Sequence, residues 1–166
     1  VRKMNSDLRK KKIQEIIKTQ NPCGPNTTEK DVNDRGFVIA YQIPLSCLVF
    51  DVNNTRVKSL IQEFEKLHER KENPLTIIGR KTYSEILWQH DPSGKNNKML
   101  EDIENQGQLR PGIISNDGTV IDGNRRFMAL LKLAEKNKGQ SFYFTAFITE
   151  TEDISSLGFL PEPSQD

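Results

Sequence analysis

Apolar residues recur at two periods along this chain, and each change of period marks an element. Leu8, Ile13, Ile16 and Ile17 fall on one side of a helix predicted over Ser6 to Thr19. Residues 21–36 carry Pro22, Gly24, Pro25 and Gly36 and read as a loop. Strands are predicted from Phe37 to Tyr41 and from Ile43 to Phe50, interrupted at Pro44, which has no N–H for a ladder. Val57, Leu60, Ile61, Phe64 and Leu67 then recur at helical spacing, predicting a helix from about Thr55 to Glu72 that Pro74 stops. Leu75 to Ile78 reads as a short apolar strand or buried turn, and Thr82 as the cap of a helix holding Tyr83, Ile86 and Leu87. After a loop at Asp91-Pro92-Ser93-Gly94, the residues Met99, Leu100 and Ile103 predict a short helix closed by Gly107.

The segment from Pro111 onward has the clearest pattern. A strand to Ser115, a turn at Asn116-Asp117-Gly118 and a return strand from Thr119 to Ile121 make a hairpin, because Asn, Asp and Gly tolerate positive φ. Asp122-Gly123-Asn124-Arg125-Arg126 follows, directly before a helix carrying Phe127, Leu130, Leu131 and Ala134 that Gly139 ends. Phe142, Phe144, Ala146 and Ile148 alternate along a last strand, and Thr151 with Asp153 opens a final short helix. The fold class this predicts is α+β, with a small mixed β-sheet flanked by helices. Its parts are a basic helix and loop over residues 1–36, a main domain over 37–150, and a short helix with an acidic tail over 151–166.

Charge and composition narrow the function. The 166 residues suit about one domain. Lys and Arg number 24 against 23 Asp and Glu, a net charge of +1 that argues against a protein coating polyanions through excess positive charge. The balance conceals an uneven layout. Residues 1–20 carry seven Lys or Arg and two acids, whereas residues 149–166 carry five acids and no Lys or Arg. No apolar run is long enough for a bilayer span, and no signal peptide is visible. The expected location is cytoplasmic, with no membrane partner. Two cysteines, Cys23 in a turn-like run and Cys47 in an apolar one, do not make a disulfide framework. The start at Val1 is expected of a processed chain or of a piece of a longer one.

The chemistry concentrates at the second turn. A strand that passes through a glycine into a helix presents backbone N–H groups, and with the helix dipole these make an anion site. Arg125 and Arg126 set two cations in the first helical turn, where cations are disfavoured. A bound phosphate would remove that conflict, since arginine donates bidentate bonds to phosphate oxygens. The alternative is that Asp122 caps the helix and the arginines pair with nearby carboxylates. His68 and His90 lack the spacing of a zinc site, so no metal site is expected; His68 reads as partly buried on its helix. Trp88, Tyr83 and Tyr143 read as core rather than base-stacking residues.

These residues resemble a known family. Gly107-Gln108-Leu109-Arg110-Pro111-Gly112-Ile113-Ile114, then Gly118-Thr119-Val120-Ile121-Asp122-Gly123-Asn124-Arg125-Arg126 with Ala129, is similar to the signature of the ParB/sulfiredoxin superfamily. Ile43-Pro44-Leu45 and Asn53-Asn54-Thr55-Arg56 resemble its opening strand and its Asn/Arg region. The likeness covers roughly residues 38–150, with residues 57–98 as a helical insertion. It implies a nucleotide-binding module of a DNA-related bacterial, phage or plasmid protein. Gly123, Asn124, Arg125 and Arg126 would hold the phosphates of a nucleoside triphosphate of unknown base, accompanied by Mg²⁺. Asn54, Arg56, Arg110 and Pro111 would support the pocket, and Asp122 is the candidate catalyst. Sulfiredoxin's reaction does not transfer, because Asn124 stands where its cysteine would be. Arg110 also replaces the glutamine usual before the family's proline. Three other readings stay open: a nucleotide hydrolase or phosphotransferase using Asp122, a DNA-binding or nuclease module using the basic helix, and a protein-interaction module using the insertion.

Overall fold

The computed structural model describes residues 5–19, 28–30 and 37–149. In chain order the elements are α1 (Ser6–Thr19), β1 (Thr28–Lys30), β2 (Phe37–Pro44), a 3₁₀ turn (Leu45–Cys47), β3 (Val49–Phe50), α2 (Thr55–His68), α3 (Ile77–Gln89), α4 (Asn96–Gln106), β4 (Gly112–Ser115), β5 (Thr119–Asp122), α5 (Asn124–Lys136) and β6 (Tyr143–Thr149). The strands form one mixed sheet in the order β1-β2-β6-β4-β5-β3. The β4–β6 and β3–β5 pairs are parallel and the others antiparallel. The class is α+β, as the pattern predicts.

The β4–β5 hairpin organises the centre of this sheet. Gly118 closes its turn at φ +86°, and a Cβ there would lie 1.9 Å from the Cys47 carbonyl oxygen, so only glycine fits. The Asp117 carboxylate accepts from the Ser115 hydroxyl and from the N–H and hydroxyl of Thr119. Helix α1 docks on this turn. Arg9 donates its Nε–H to the Asp117 carbonyl at 2.7 Å, and its Nη2 lies 4.0 Å from the Asp117 carboxylate. Ile13, one turn on, is fully buried. The apolar stripe expected on α1 is therefore only partly used. Leu8 and Ile17 remain exposed, because Arg9 shares the buried side with Ile13.

Helix α5 covers the core. Phe127 packs on Phe50 with ring centroids 4.7 Å apart and on Phe144 at 6.2 Å. Met128, Ala129, Leu130 and Leu133 are buried beside it, since α5 has sheet on one side and α3 and α4 on the other. The alternation expected of the last strand puts Phe144 and Ala146 in this core, with Thr145 buried on the opposite side.

Several local expectations change. Leu75 to Ile78 forms no strand, and of its four residues only Thr76 is buried. Thr76 caps α3, its Oγ1 accepting from the Gly79 N–H at 2.9 Å, and Leu75, Ile77 and Ile78 are exposed. Asn73 fixes the turn by accepting from the Leu75 N–H, and these side-chain bonds outweigh the apolar run. Thr82 lies inside α3, its hydroxyl donating to the Ile78 carbonyl. Helix α2 ends at His68 rather than Glu72, with Glu69 left-handed at φ 52°. His68 is exposed, its ring 4.4 Å from that of Phe64. Strands β2 and β3 are separated by the 3₁₀ turn after Pro44. Within 21–36, expected to be loop, Thr28–Lys30 pairs with β2. Cys23, the helix at Thr151 and the acidic tail lie outside the described residues. Among the described residues, no helix is long and apolar enough to cross a membrane.

Candidate functional site

The turn from β5 into α5 has the expected form. Asp122 ends the strand, and Gly123, at φ +101°, is the N-cap of α5 and so supplies no side-chain cap. Asp122 is thus not the cap. Its carboxylate is buried 3.6 Å from Nη2 of Arg126, and its Oδ1 has no hydrogen-bond partner among the described residues. Asn124 is fully buried and holds the backbone together: Nδ2 donates to the Val120 carbonyl at 3.0 Å, and Oδ1 accepts from the Asp51 N–H at 3.4 Å.

The two arginines divide their work. Arg126 is almost wholly buried and donates to the Arg110 carbonyl at 2.6 Å while pairing with Asp122. Its side chain holds the loop before β4 against α5. Gln108 reinforces that loop. It accepts from the Thr145 N–H and donates to the Thr145 carbonyl, both at 2.8 Å, and so extends the β4–β6 ladder with a side chain. Pro111 is buried behind it, while the Arg110 side chain is exposed.

Arg125 points to the corner between α3 and α4. It donates to the His90 carbonyl at 2.6 Å, to Asn96 Oδ1 at 2.9 Å and to the Leu87 carbonyl at 3.3 Å. These direct partners are all neutral. Burial lowers its pKa from the usual guanidinium value; the charge of Asp91 opposes this through space, and that of Arg56 adds to it. The Asp91 carboxylate is itself engaged, accepting from the N–H groups of Lys95 and Asn96 at the start of α4. Arg56 stands in the first turn of α2, whose cap is Asn54, accepting from the N–H groups of Arg56 and Val57 at 3.1 and 3.3 Å.

A cleft of about 1010 Å³ opens at this place. Helices α2 and α4 supply its walls through Leu60, Met99 and Ile103, and α3 closes one end with Leu87 and His90. Arg56, Arg110, Arg125 and Arg126 all line it. Asn54, Pro111, Asp122, Gly123 and Asn124 do not. The starts of three helices, at Arg56, Asn96 and Arg125, therefore meet on one cleft. Helices α2 and α4 have their first N–H groups satisfied by Asn54 and Asp91, whereas α5 has no side-chain cap.

No family model, curated protein or solved structure matches this chain. The site is thus characterised by its own geometry.

The pattern does not reveal Asn96, Gln108 or the carbonyls of Leu87 and His90 as site elements. Their roles come from pairings 29 to 38 residues away in the chain. One signal was present: Arg56, Leu60 and Glu63 follow helical spacing, which puts all three on one face of α2.

Proposed function

We propose that the cleft is the ligand site of a ParB-like nucleotide-binding module, and that Arg125, with Arg56 beside it, receives the phosphates. The observation that carries this reading is the charge of Arg125. Arg125 is a half-buried guanidinium whose direct hydrogen-bond partners are neutral, set near Arg56 where the starts of three helices line one cleft. Helix dipoles and guanidinium charges act with the same sign there. A phosphate would offset the repulsion between the two guanidinium groups and accept the charge-assisted bonds that Arg125 offers. The reading moves the phosphate contacts within the Gly123–Arg126 turn. Arg126 and Asn124 hold the turn in shape, and Arg125 faces the ligand.

The same geometry favours binding over hydrolysis. Asp122 does not line the cleft and is held by Arg126. Mg²⁺ in nucleotide sites rests on the phosphates plus one or two carboxylates. Of the acids on this cleft, Asp91 is engaged by the start of α4, Glu63 stands about two helical turns from Arg56 along α2, and Asp102 about two turns from Asn96 along α4. Asp91, the carboxylate whose charge acts on Arg125, is already engaged by the N–H groups of Lys95 and Asn96, so Mg²⁺ is not part of the proposal.

The test is a thermal-shift and calorimetric titration with nucleoside triphosphates and with inorganic tripolyphosphate. A ligand at one hundred times its Kd stabilises the folded chain by about 2.7 kcal/mol. We expect stabilisation by tripolyphosphate and by at least one nucleotide, reduced at least tenfold in affinity in Arg56→Met/Arg125→Met. Absence of any shift at millimolar ligand, or an unchanged affinity in the double variant, would overturn the reading.

A further inference from the structure

Arg125 has three direct partners, and only one of them is a side chain. The carbonyls of Leu87 and His90 are backbone groups, which any sequence in this fold would supply. The third partner is Asn96, whose Oδ1 accepts from Nη1 of Arg125 at 2.9 Å. Position 96 is therefore where the sequence sets the charge that meets this guanidinium. Asn96 is 4% exposed and lies on the wall of the cleft.

A carboxylate bonds a guanidinium more strongly than a neutral acceptor does. Here the acceptor is an amide, although a carboxylate stands at the same corner. Asp91 accepts from the N–H groups of Lys95 and of Asn96 itself, at 2.9 and 3.1 Å, and acts on Arg125 only through space. The Asn96 amide is also held in one orientation. Its Nδ2 donates to the Trp88 carbonyl at 2.8 Å and to the Leu87 carbonyl at 3.4 Å, so Oδ1 is the atom that faces Arg125. An amide held at both ends thus fixes the plane of Arg125 and cancels none of its charge.

Resting on the reading that Arg125 receives the phosphates, we infer that Asn96 is the positioning residue of the anion site: it orients the guanidinium and, because it is neutral, leaves the charge to the ligand. A carboxylate at the same position would take Arg125 into an internal ion pair and compete with the phosphate for it.

The experiment measures tripolyphosphate binding by calorimetry, at one fixed salt concentration, in wild type, Asn96→Ala, Asn96→Asp and Ser93→Asp, with a thermal melt of each to verify folding. Asn96→Ala and Asn96→Asp both lose the bonds from Nδ2, so the difference between them isolates the charge set against Arg125. Asn96→Ala keeps the charge of Arg125 but frees its plane, and is expected to bind about three- to fivefold more weakly than wild type. Asn96→Asp is expected to bind about tenfold more weakly again, the worth of a charge-assisted bond that the protein now takes for itself. Ser93 is exposed, lines the cleft and does not bond Arg125. Ser93→Asp therefore adds the same charge in screened surroundings, with an expected cost of about twofold. Affinity in Asn96→Ala that equals wild type overturns the inference, whether or not Asn96→Asp folds. Equal affinities in the two Asn96 variants overturn it as well, and so does a loss in Ser93→Asp as large as that in Asn96→Asp. In each of these cases binding by the wild type leaves the phosphate reading standing, whereas no binding by the wild type overturns both.

Discussion

The role of Arg125 can be measured before any ligand is known. In Arg125→Met the stem of the side chain is kept and the guanidinium removed. Three hydrogen bonds are lost, at 2.6, 2.9 and 3.3 Å, and with them the direct tie between the start of α5 and the α3–α4 corner. Hydrogen bonds from a charged donor contribute roughly 1.5–3 kcal/mol each. The sum is not three times that figure. The 3.3 Å contact is long, the exposed His90 regains water, and removing a half-buried charge returns its desolvation penalty. The net destabilisation expected is about 2 kcal/mol, or a fall of roughly 4–8 °C in Tm for a chain of this size. Urea unfolding followed by circular dichroism gives the value, with the m-value expected to be unchanged. Amide exchange adds a spatial check. Residues 87–98 should lose protection, while the β4–β5 hairpin should not. A destabilisation below about 0.5 kcal/mol, or protection lost evenly across the chain, would refute the argument that Arg125 ties this corner down.

Three other outcomes follow from the same structure. Arg126→Met should be more damaging than Arg125→Met, by about 3–5 kcal/mol in urea unfolding, because it strands the buried Asp122 carboxylate; adding Asp122→Asn should recover a measurable part of that loss. Gly118→Ala should destabilise by more than about 3 kcal/mol, or prevent folding, since its Cβ would meet the Cys47 carbonyl at 1.9 Å; Gly94→Ala, also at positive φ but with nothing within 4 Å, should lose only about 1 kcal/mol by the same assay. Burial alone would raise the Asp117 pKa, but bonds from Ser115 and Thr119 and the charge of Arg9 outweigh it and hold the value below the usual carboxylate range. A depressed folded-state pKa stabilises above the unfolded value and loses that contribution as pH falls through the folded one, so the stability gap between wild type and Asp117→Asn should be full above pH of about 5 and should shrink below pH of about 4, read from urea curves across that window.

How much of this was legible in the sequence depends on how local the deciding interaction is. The hairpin and the start of α5 were readable because Asn116, Asp117, Gly118 and Gly123 act through their own backbone. The arginine pair was readable as an anomaly, two cations at the wrong end of a helix. Its resolution was readable only in part: the pairing of Arg126 with Asp122, four residues away, stood among the alternatives, whereas the bond from Arg126 to the Arg110 carbonyl and those from Arg125 to α3 and α4 depend on packing. Leu75 to Ile78 failed for a different reason. A four-residue run with three apolar side chains is consistent with a strand or with a helix start, and Thr76 and Asn73 decide the matter with hydrogen bonds that hydropathy does not register. The buried Arg9 was unreadable as well, since it occupies a core-facing position by bonding a turn 108 residues away.

Why the site should use arginine and not simply a cation follows from the donor count at Arg125. A guanidinium has five N–H donors in a rigid plane. The contacts to Leu87, Asn96 and His90 use two on Nη1 and one on Nη2, which leaves the Nε–H and the second Nη2–H on one edge. The carbonyls of Leu87 and His90 belong to the C-terminal end of α3, the negative end of its dipole, so neutral groups fix the plane, and under the proposed phosphate reading the charge would be kept for the anion. Under that proposal the orientation would be set before binding, which lowers the ordering cost of association. Lysine cannot do both tasks, because its ammonium has three donors and no plane. Arg125→Lys is therefore expected to keep most of the stability lost in Arg125→Met only if one or two of the corner bonds re-form, and in either case to bind tripolyphosphate at least tenfold more weakly than wild type, read by calorimetry at one fixed salt concentration. Wild-type affinity in Arg125→Lys would mean that charge alone suffices and that the fixed plane of Arg125 has no part in holding the anion.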